Sequence, residues 1–421
     1  MTDTIFALSS GRPPAAIAVV RVSGPGALEA ARAIAGRLPE ARRAGLRALG
    51  DGEGGLLDRA LVLTFPGPES ATGEDLVELH LHGGRAVVAA VERALGERGL
   101  RLAEPGEFTR RALANGRVDL AQAEGLADLL QAETEAQRVQ AIGAAEGAVS
   151  GLVRGWSARV TGLSAQVEAA LDFADEDDVA VDPGGIADAV AALRAEIADV
   201  LARPPVERLR DGVRVVLAGP PNAGKSTLLN LLTGREAAIV SPIAGTTRDV
   251  IEAPVVVEGV PYLLLDTAGL VDTTADAIEA IGVERARAAA GAADVVLWLG
   301  DDAPPDGALW VWARADALGR GESPAGVDAI TSSARPETIG ALWRAIGARA
   351  AGLLPRADLP ALNARQRAFV EEAASELAGD ADPLILAERL RHVRVALARV
   401  TGEDATEAML DALFGRFCIG K

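Results

Sequence analysis

The chain has 421 residues, of which 49% are hydrophobic and 24% are charged, with a formal net charge of -18. The length and composition predict a globular protein of about two to four domains. The sequence contains no uncharged apolar run of the ~18 residues that a membrane helix needs. The negative net charge argues against broad nonspecific binding to nucleic acid. The single cysteine, Cys418, excludes an intrachain disulfide, and the N-terminus lacks the features of a signal peptide, so we expect a cytoplasmic protein.

The N-terminal quarter of the chain, residues 1–116, mixes short β-rich runs with turns and predicts an α+β domain. Strands are expected at 17–22, 60–65 and 76–82, and a helix is expected over 86–95. The run from 76 to 82 alternates polar and apolar residues and ends at Gly83-Gly84, which is typical of a strand followed by a turn.

Two helical regions flank a segment of different character. In 117–209 and in 353–421, apolar residues recur at three- and four-residue spacing, which predicts long helices, and the stretch 181–185 is expected to break the first set. In 210–352, strands alternate with helices, as in a parallel α/β fold. The pattern predicts one helical domain with an α/β domain inserted into it.

A phosphate-binding loop is predicted near the start of the α/β segment. The run Gly219-Pro-Pro-Asn-Ala-Gly-Lys-Ser-Thr227 fits G-x-x-x-x-G-K-[ST], between a predicted strand at 213–217 and a predicted helix at 228–232. This context places phosphates on a helix N-terminus. Lys225 should reach the β- and γ-phosphates, and the Ser226 hydroxyl should bind Mg²⁺. The chain is therefore expected to bind and hydrolyse a nucleoside triphosphate.

Two further motifs complete the expected phosphate side of this site. Asp266-Thr-Ala-Gly269 follows an apolar strand, so that Asp266 can hold the Mg²⁺ shell and the Gly269 N–H can contact the γ-phosphate. Gly245-Thr-Thr-Arg-Asp249 lies between the two motifs, and a threonine there can add a Mg²⁺ ligand, as in the switches of GTPases. The alternative interpretation is that these threonines are ordinary turn residues.

Base recognition is expected at Ala313-Arg-Ala-Asp316, where guanine-specific sites usually carry Asn-Lys-x-Asp. Asp316 can accept hydrogen bonds from guanine, and Arg314 can lie across the base. The asparagine is missing, and one lost polar contact to a base costs about 1–3 kcal/mol. We therefore expect weakened guanine binding, and the short stretch 301–327 is expected to lack a surface helix.

Many motifs together resemble one known family. They are Arg21-Val-Ser-Gly24, Thr72-Gly-Glu-Asp75, Glu78-Leu-His-Leu-His-Gly-Gly84, Pro105-Gly-Glu-Phe-Thr109, Asn115-Gly-Arg-Val-Asp-Leu-Ala-Gln-Ala-Glu124, Ala170-Leu-Asp-Phe173, the phosphate loop, Gly245-Thr-Thr-Arg-Asp249 and Phe417-Cys-Ile-Gly-Lys421. Over nearly its whole length the chain resembles the tRNA uridine-modification GTPase family known as MnmE or TrmE. The resemblance implies an N-terminal folate-binding and dimerisation domain (1–116), a helical domain in two parts (117–209 and 353–421) and an inserted P-loop α/β GTPase domain (210–352).

The resemblance also implies a tetrahydrofolate site and a catalytic cysteine. Arg21, Glu78, Arg117 and the terminal Lys421 would contact the folate, and Arg117 stands where the family usually has lysine. Cys418 would take part in the modification, with its thiolate as the active form. From the residue alone, the alternative interpretation of Cys418 is a small buried hydrophobe, and Lys421 is interpreted as a solvated terminus.

The implied hydrolysis mechanism uses a potassium ion, since Leu270 stands where many GTPases carry a water-positioning glutamine. Such a cation beside the β–γ bridge can stabilise developing charge. The family's potassium ligands match Asn222, Ser241, Ile243 and Thr246, its Mg²⁺ ligands match Ser226 and Thr247, and its water-orienting glutamate matches Glu279. Ala223, Gly224 and Thr227 complete the nucleotide-binding residues. By itself, Glu279 is interpreted as a carboxylate on a solvated helix face.

The function implied is a homodimeric, potassium-stimulated GTPase that helps add a carboxymethylaminomethyl or aminomethyl group to C5 of the wobble uridine of certain tRNAs. It would use 5,10-methylenetetrahydrofolate, with 5-formyltetrahydrofolate as an analogue, and work with the FAD-dependent MnmG (GidA) in a heterotetramer or larger complex. Two alternatives stay open at this point: a GTP-dependent RNA or ribosome assembly factor, and a scaffold whose nucleotide turnover is weakened.

Overall fold

The computed structural model describes residues 3–172, 183–234, 238–239, 251–266, 293–356, 358–379 and 382–420. The chain divides into two compact units, which we call the N-terminal unit (Met1–Ala127, Ala144–Arg154 and Leu397–Lys421) and the central unit (Asp128–Gly143 and Gly155–Ala396). No described helix combines the length and hydrophobicity that a membrane span requires. Several helices contribute residues to both units, so the domain limits expected from the sequence stay predictions.

The N-terminal unit is built on a six-stranded sheet. Its elements are β1 (Ile5–Leu8), β2 (Ile17–Ser23), α1 (Ala27–Ala35), β3 (Gly45–Gly50), β4 (Leu56–Phe65), β5 (Leu76–His82), α2 (Arg85–Gly96), β6 (Arg101–Leu102) and α3 (Glu107–Ala114). The strand order is β3-β4-β5-β2-β1-β6, and only the β1–β6 pair is parallel. Alternate apolar side chains such as Val20, Leu79 and Leu81 are buried on one face. The predicted α+β fold is confirmed.

A buried charge network holds two of the sequence motifs together. The Arg111 side chain is fully inaccessible and donates hydrogen bonds to Asp3 Oδ1 at 2.9 Å, to Glu107 Oε1 at 3.0 Å and to both Glu74 oxygens at 3.2 Å. Glu74 and Glu107 belong to the Thr72–Asp75 and Pro105–Thr109 motifs. Because a buried guanidinium must be paired, these motif residues serve the fold of the N-terminal unit.

The helices that come next in the chain correct one expectation, the position at which the sequence pattern predicted a break between helices. They are α4 (Leu120–Gln131), α5 (Glu135–Ala145), α6 (Ala148–Asp172), α7 (Pro183–Ala202) and α8 (Glu207–Arg210). The expectation that 181–185 interrupts the helices is wrong for 183–185, which are the first residues of α7. Proline fits that place because the first helical N–H has no intrahelical partner.

The α/β part of the central unit is a seven-stranded sheet with flanking helices. Its elements are β7 (Val213–Ala218), α9 (Lys225–Thr233), β8 (Ala238–Ile239), β9 (Ile251–Val257), β10 (Val260–Asp266), β11 (Val295–Trp298), β12 (Leu309–Trp312), β13 (Ala329–Ile330) and α10 (Glu337–Ala351). The strand order is β13-β12-β11-β7-β10-β9-β8. The five strands from β13 to β10 are parallel, whereas β9 and β8 extend the sheet in antiparallel pairs. Between β12 and α10 the described chain forms no helix, as expected.

The C-terminal helices are α11 (Ala364–Glu376), α12 (Pro383–Thr401) and α13 (Glu407–Phe414). Within the N-terminal unit, α13 packs on α3, where a Cβ on Gly106 would lie 2.7 Å from the Phe414 carbonyl oxygen. The tail continues to Ile419, which forms an antiparallel bridge with Pro105. These contacts attach the C-terminal tail to the same unit as the N-terminal sheet.

Candidate functional site

The phosphate loop joins β7 to α9 and depends on three residues with positive φ. Gly219 has φ +143°, Asn222 +63° and Gly224 +98°. A Cβ on Gly219 would lie 3.2 Å from the Leu299 backbone, so glycine also provides close approach there. Asparagine tolerates the left-handed region better than most residues. The loop can therefore curl back over the N-terminus of α9, which begins at Lys225 rather than at the expected residue 228.

Three predicted side chains meet at the carboxyl edge of the parallel strands. The Lys225 ammonium donates hydrogen bonds of 2.9 Å to the carbonyls of Gly219 and Pro220. The Ser226 hydroxyl donates to Asp266 Oδ2 at 2.7 Å, and Asp266 is only 1% exposed at the end of β10. Burial lowers the pKa of Lys225, against the opposing charge of Asp266. A hydroxyl and a carboxylate are oxygen ligands of the kind that Mg²⁺ prefers, so the residues present fit this ion.

The base side of the site lies on the loops that follow β12 and β13. Asp316 accepts hydrogen bonds from the Ser333 hydroxyl at 2.7 Å and from the Ser333 N–H at 3.3 Å. Ala313 is 2% exposed and offers no polar side-chain group. Arg314 donates to the Asn222 carbonyl at 2.7 Å, and a Cβ on Gly224 would lie 3.0 Å from the Arg314 Cδ. A shallow pocket here is lined by Gly224, Thr227, Leu228, Leu231, Ala313, Arg314, Thr331, Ser332 and Ser333.

Sequence reasoning missed Ser333 as a member of this site. The signal was the polar run Thr331-Ser332-Ser333 directly after the last strand of the sheet, at the edge where the other loops converge. Because its hydrogen bonds reach back to Asp316, Ser333 orients the carboxylate on which guanine recognition is expected to depend.

Several expected site residues lie outside the described residues. They are Ser241, Ile243, Thr246 and Thr247 of the first switch, Gly269 and Glu279 beyond β10, and the terminal Lys421. Their roles stay predictions, as do the nucleotide contacts of Ala223, Gly224 and Thr227 in the described loop.

A second site lies in the N-terminal unit, where Arg21 on β2 faces Glu78 on β5. The two residues are direct cross-strand partners, and Arg21 donates to Glu78 Oε1 at 2.8 and 3.2 Å. His80 Nε2 lies 3.2 Å from Glu78 Oε2. Burial by itself would raise the pKa of Glu78, but the hydrogen bonds and charge of Arg21 lower it overall. Glu78 is therefore held as a carboxylate.

Glu78 opens onto a cleft of about 530 Å³, which is within the ~300–1,000 Å³ usual for small-molecule sites. The cleft is lined by Arg42, Phe65, Glu69, Ser70, Ala71, Leu76, Glu78 and Arg117. The structure thus brings Glu78 and Arg117 to one cleft, with Arg21 bonded to the first of them. Cys418 is an exposed free thiol, and it lies between the buried Phe417 and the bridged Ile419.

Comparison with known proteins identifies the family. A profile described as GTP-binding protein TrmE N-terminus matches residues 4–117, and one described as MnmE helical domain matches residues 120–418. Relatives named tRNA modification GTPase MnmE, from Erythrobacter litoralis and Rhizorhabdus wittichii, are 59% and 58% identical; the alignments cover 100% of this chain and 100% and 97% of the relatives. The chain belongs to the MnmE family.

Membership of the MnmE family confirms the expected fold class and the expected class of enzyme, a GTP hydrolase of tRNA modification. A relative of the same name from Zymomonas mobilis is 48% identical over 99% of this chain and 100% of its own length. Among solved structures, the G domain of the T. maritima FeoB iron transporter matches 33% of this chain and 98% of its own, with 23% identity and a TM-score of 0.24. That structural similarity is too low to bear on function.

Proposed function

We propose that this chain is a potassium-stimulated GTPase that drives the modification of the wobble uridine of certain tRNAs at C5. It would act as a homodimer together with an FAD-dependent partner of the MnmG type, and a tetrahydrofolate would supply the one-carbon unit. The observation that carries the proposal is the convergence of Lys225, Ser226 and Asp266 at the carboxyl edge of the sheet. We expect the reaction to occur in the cytoplasm because its tRNA substrate is there.

The nucleotide-binding residues would act mainly by positioning and by charge. Lys225 would leave the carbonyls of Gly219 and Pro220 and donate to the β- and γ-phosphates, which offer stronger, charged acceptors. Ser226 and Asp266 would hold Mg²⁺, because a hydroxyl and a carboxylate supply the oxygen atoms that this ion prefers. When bound, that ion neutralises charge on the phosphate oxygens. Thr247 is the proposed switch ligand, and Glu279 the residue that orients the attacking water.

Asn222 is the described residue on which potassium stimulation would depend. Its backbone is held at φ +63°, and its carbonyl accepts a hydrogen bond from Arg314. Its side-chain amide would hold the ion together with Ser241, Ile243 and Thr246. When bound, potassium supplies positive charge beside the β–γ bridge. The loop conformation that presents Asn222 is thus fixed by the same arginine that lies next to the base pocket.

The N-terminal cleft is the proposed folate site. Four residues would contact the folate: Glu78, Arg21 and Arg117, which the structure describes, and Lys421, which lies outside the described residues. Glu78 is ionised and can accept hydrogen bonds from the amino groups of a pterin. A tetrahydrofolate would supply the transferable carbon. Cys418 belongs to the tail that is bridged to Pro105, and its exposed thiol is the proposed nucleophile of the modification.

The proposal is tested by measuring the hydrolysis of GTP and ATP in potassium and in sodium, with wild type and Asn222→Gly. Glycine removes the amide while it keeps the positive φ of the loop, so that loss of turnover is not caused by strain. We expect GTP turnover that rises in potassium in the wild type only, with unchanged GDP binding in the variant. Equal rates in both salts would contradict the potassium mechanism. Equal rates with ATP and GTP would show that the site, with Ala313 in place of asparagine, has lost its specificity for guanine.

A further inference from the structure

Arg42 has an unusual backbone conformation on the wall of the N-terminal cleft. Its φ is +62°, and among the described residues only three other non-glycine residues, Asn222, Glu258 and Arg314, have positive φ. Two of those three belong to the nucleotide site. An arginine in the left-handed region is disfavoured by its Cβ, and such residues persist where the surrounding structure imposes them, often at ligand sites. Arg42 is held there by a 2.9 Å hydrogen bond from its N–H to the Thr64 carbonyl.

The Arg42 side chain is oriented but only weakly engaged by the protein. Its guanidinium lies 5.9 Å from the centre of the Phe65 ring, within the range of a cation–π contact. It donates to the Glu69 carbonyl and lies 3.8 Å from the Glu69 carboxylate, whose side chain is 81% exposed. Such exposed ion pairs contribute little to stability. A ligand carboxylate that binds the guanidinium through two hydrogen bonds can therefore take the place of Glu69.

The cleft carries opposite charges at different places. Glu78 is a shielded carboxylate with a lowered pKa, whereas Arg42 and Arg117 are exposed cations of the same cleft. The cleft therefore suits a ligand that has N–H donors at one end and carboxylates at the other. A folate has this division, since its pterin carries amino groups and its glutamate tail carries two carboxylates.

We propose that Arg42 is a further ligand-binding residue of this cleft, and that it holds the glutamate carboxylates of the folate. This inference rests on the proposed folate function of the N-terminal unit. Glu78 and Arg42 then have separable roles: Glu78 recognises the pterin, and Arg42 recognises only the tail. A pterin without a tail should bind independently of Arg42.

The test is a titration of the full-length protein with 5-formyltetrahydrofolate and with a tetrahydropterin that lacks the glutamate tail. Two variants are compared with wild type: Arg42→Gln, and Arg42→Asn, which suits the positive φ and guards against misfolding. The matched control is Arg43→Gln, because Arg43 is exposed, pairs with Glu40 and does not line the cleft. Circular dichroism checks the fold of each variant.

We expect both Arg42 variants to bind 5-formyltetrahydrofolate about 10- to 100-fold more weakly, the effect of losing hydrogen bonds to a charged group. The affinity for the tailless pterin should stay unchanged, and Arg43→Gln should resemble wild type with both ligands. Glu78→Gln should weaken the binding of both ligands.

Three results would overturn the inference, and they are distinguishable. Unchanged folate affinity in folded Arg42 variants removes Arg42 from the site but leaves the folate function standing. An equal loss for folate and for the tailless pterin shows that Arg42 acts on the shape of the cleft and does not bind the tail. If the wild type binds no folate, the proposed folate function fails first, and the inference fails with it.

Discussion

The nucleotide site and the N-terminal cleft are constructed in different ways. The first depends on a single loop, Gly219 to Gly224, in which three residues have positive φ and which joins one strand to one helix. The second is a set of charged side chains, with Arg21 and Glu78 on neighbouring strands and Arg117 beyond α3. The phosphate loop depends on backbone conformation, which places the side chains that follow it, whereas the N-terminal cleft depends on the pairing of ionised side chains.

This difference determines what each site tolerates. A backbone site depends on conformation, so that changes at Gly219, Asn222 or Gly224 would disturb it even though their side chains carry no charge. A charged side-chain site depends on its neighbours, because each buried ion must be compensated. The N-terminal unit accordingly pairs its buried charges, and the side chain of Arg111 is fully inaccessible within its network of carboxylates.

The largest expected effect is on the stability of the N-terminal unit. Arg111→Met leaves the carboxylates of Glu74 and Glu107 without their buried cation, and breaking a buried pair costs about 3–5 kcal/mol. We expect faster amide hydrogen exchange throughout β2 and β5. The matched control is Arg110→Met, whose partners are exposed and whose loss should cost about 0–1 kcal/mol. Equal effects of the two substitutions would contradict the role of the network.

The next effect is on the nucleotide site and leaves the fold intact. Lys225→Ala should lower single-turnover GTP hydrolysis by about 10²- to 10³-fold, the usual loss when a preorganised donor to the transition state is removed. Its folding should not suffer, because burial already disfavours the charged lysine. Arg214→Ala, an exposed position on β7, is the control. A fall in turnover that is matched by unfolding would show that the lysine is structural.

Lowering the pH should reduce the stability of the N-terminal unit, because its paired carboxylates become protonated. Burial alone would raise the pKa of Glu107, but hydrogen bonds from Arg101, the Glu104 N–H and Arg111 lower it below 4.5. A carboxylate with a depressed folded-state pKa stabilises above its unfolded value and loses that contribution as the pH falls through the folded value. Protection from hydrogen exchange, after correction for the intrinsic exchange rate at each pH, should therefore decrease in wild type from pH 5 downwards. Glu107→Gln should start less stable and change less, and parallel pH profiles would contradict this assignment.

The smallest expected effect is on base choice. Ser333→Ala removes the 2.7 Å hydrogen bond that orients Asp316, without touching the phosphate loop. We expect about a 3- to 10-fold loss of preference for GTP over ATP, the value of one neutral hydrogen bond. Competition binding of GDP and ADP measures it. Unchanged discrimination would mean that the Ser333 N–H alone fixes the carboxylate.

The two regions could be predicted from the sequence to different extents, because some of their features depend on local signals and others on long-range contacts. The strand 76–82 was predicted with its observed bounds because one of its faces is buried and its residues alternate. Lys225, Ser226 and Asp266 were predicted because a loop motif and a strand end are local signals. Ser333 was missed because its partner lies 17 residues away on another loop. The start of helix α9 was predicted too late in the chain. Its N-cap is Gly224 in the left-handed region, and no capping side chain marks that position in the sequence.

Long-range side-chain pairing was the part that residue patterns did not reveal. Arg111 and Glu74 are 37 residues apart, and nothing in either motif indicates that they form one buried network. Arg21, Glu78 and Arg117 were assigned to one site only through the resemblance to the MnmE family. The positive φ of Arg42 is set by tertiary contacts, so that its place on the cleft is visible only in the structure.

The most direct measurement follows carbon from folate into tRNA. The chain is incubated with tRNA, GTP, potassium, magnesium, an FAD-dependent MnmG-type partner and methylenetetrahydrofolate labelled at the transferable carbon, and the wobble nucleoside is analysed by mass spectrometry. With wild type we predict label in the group that is attached to C5 of the uridine, and we predict none with Lys225→Ala or Cys418→Ser, of which the second still hydrolyses GTP. Label transfer that continues without GTP hydrolysis, or modification without label, would contradict the account.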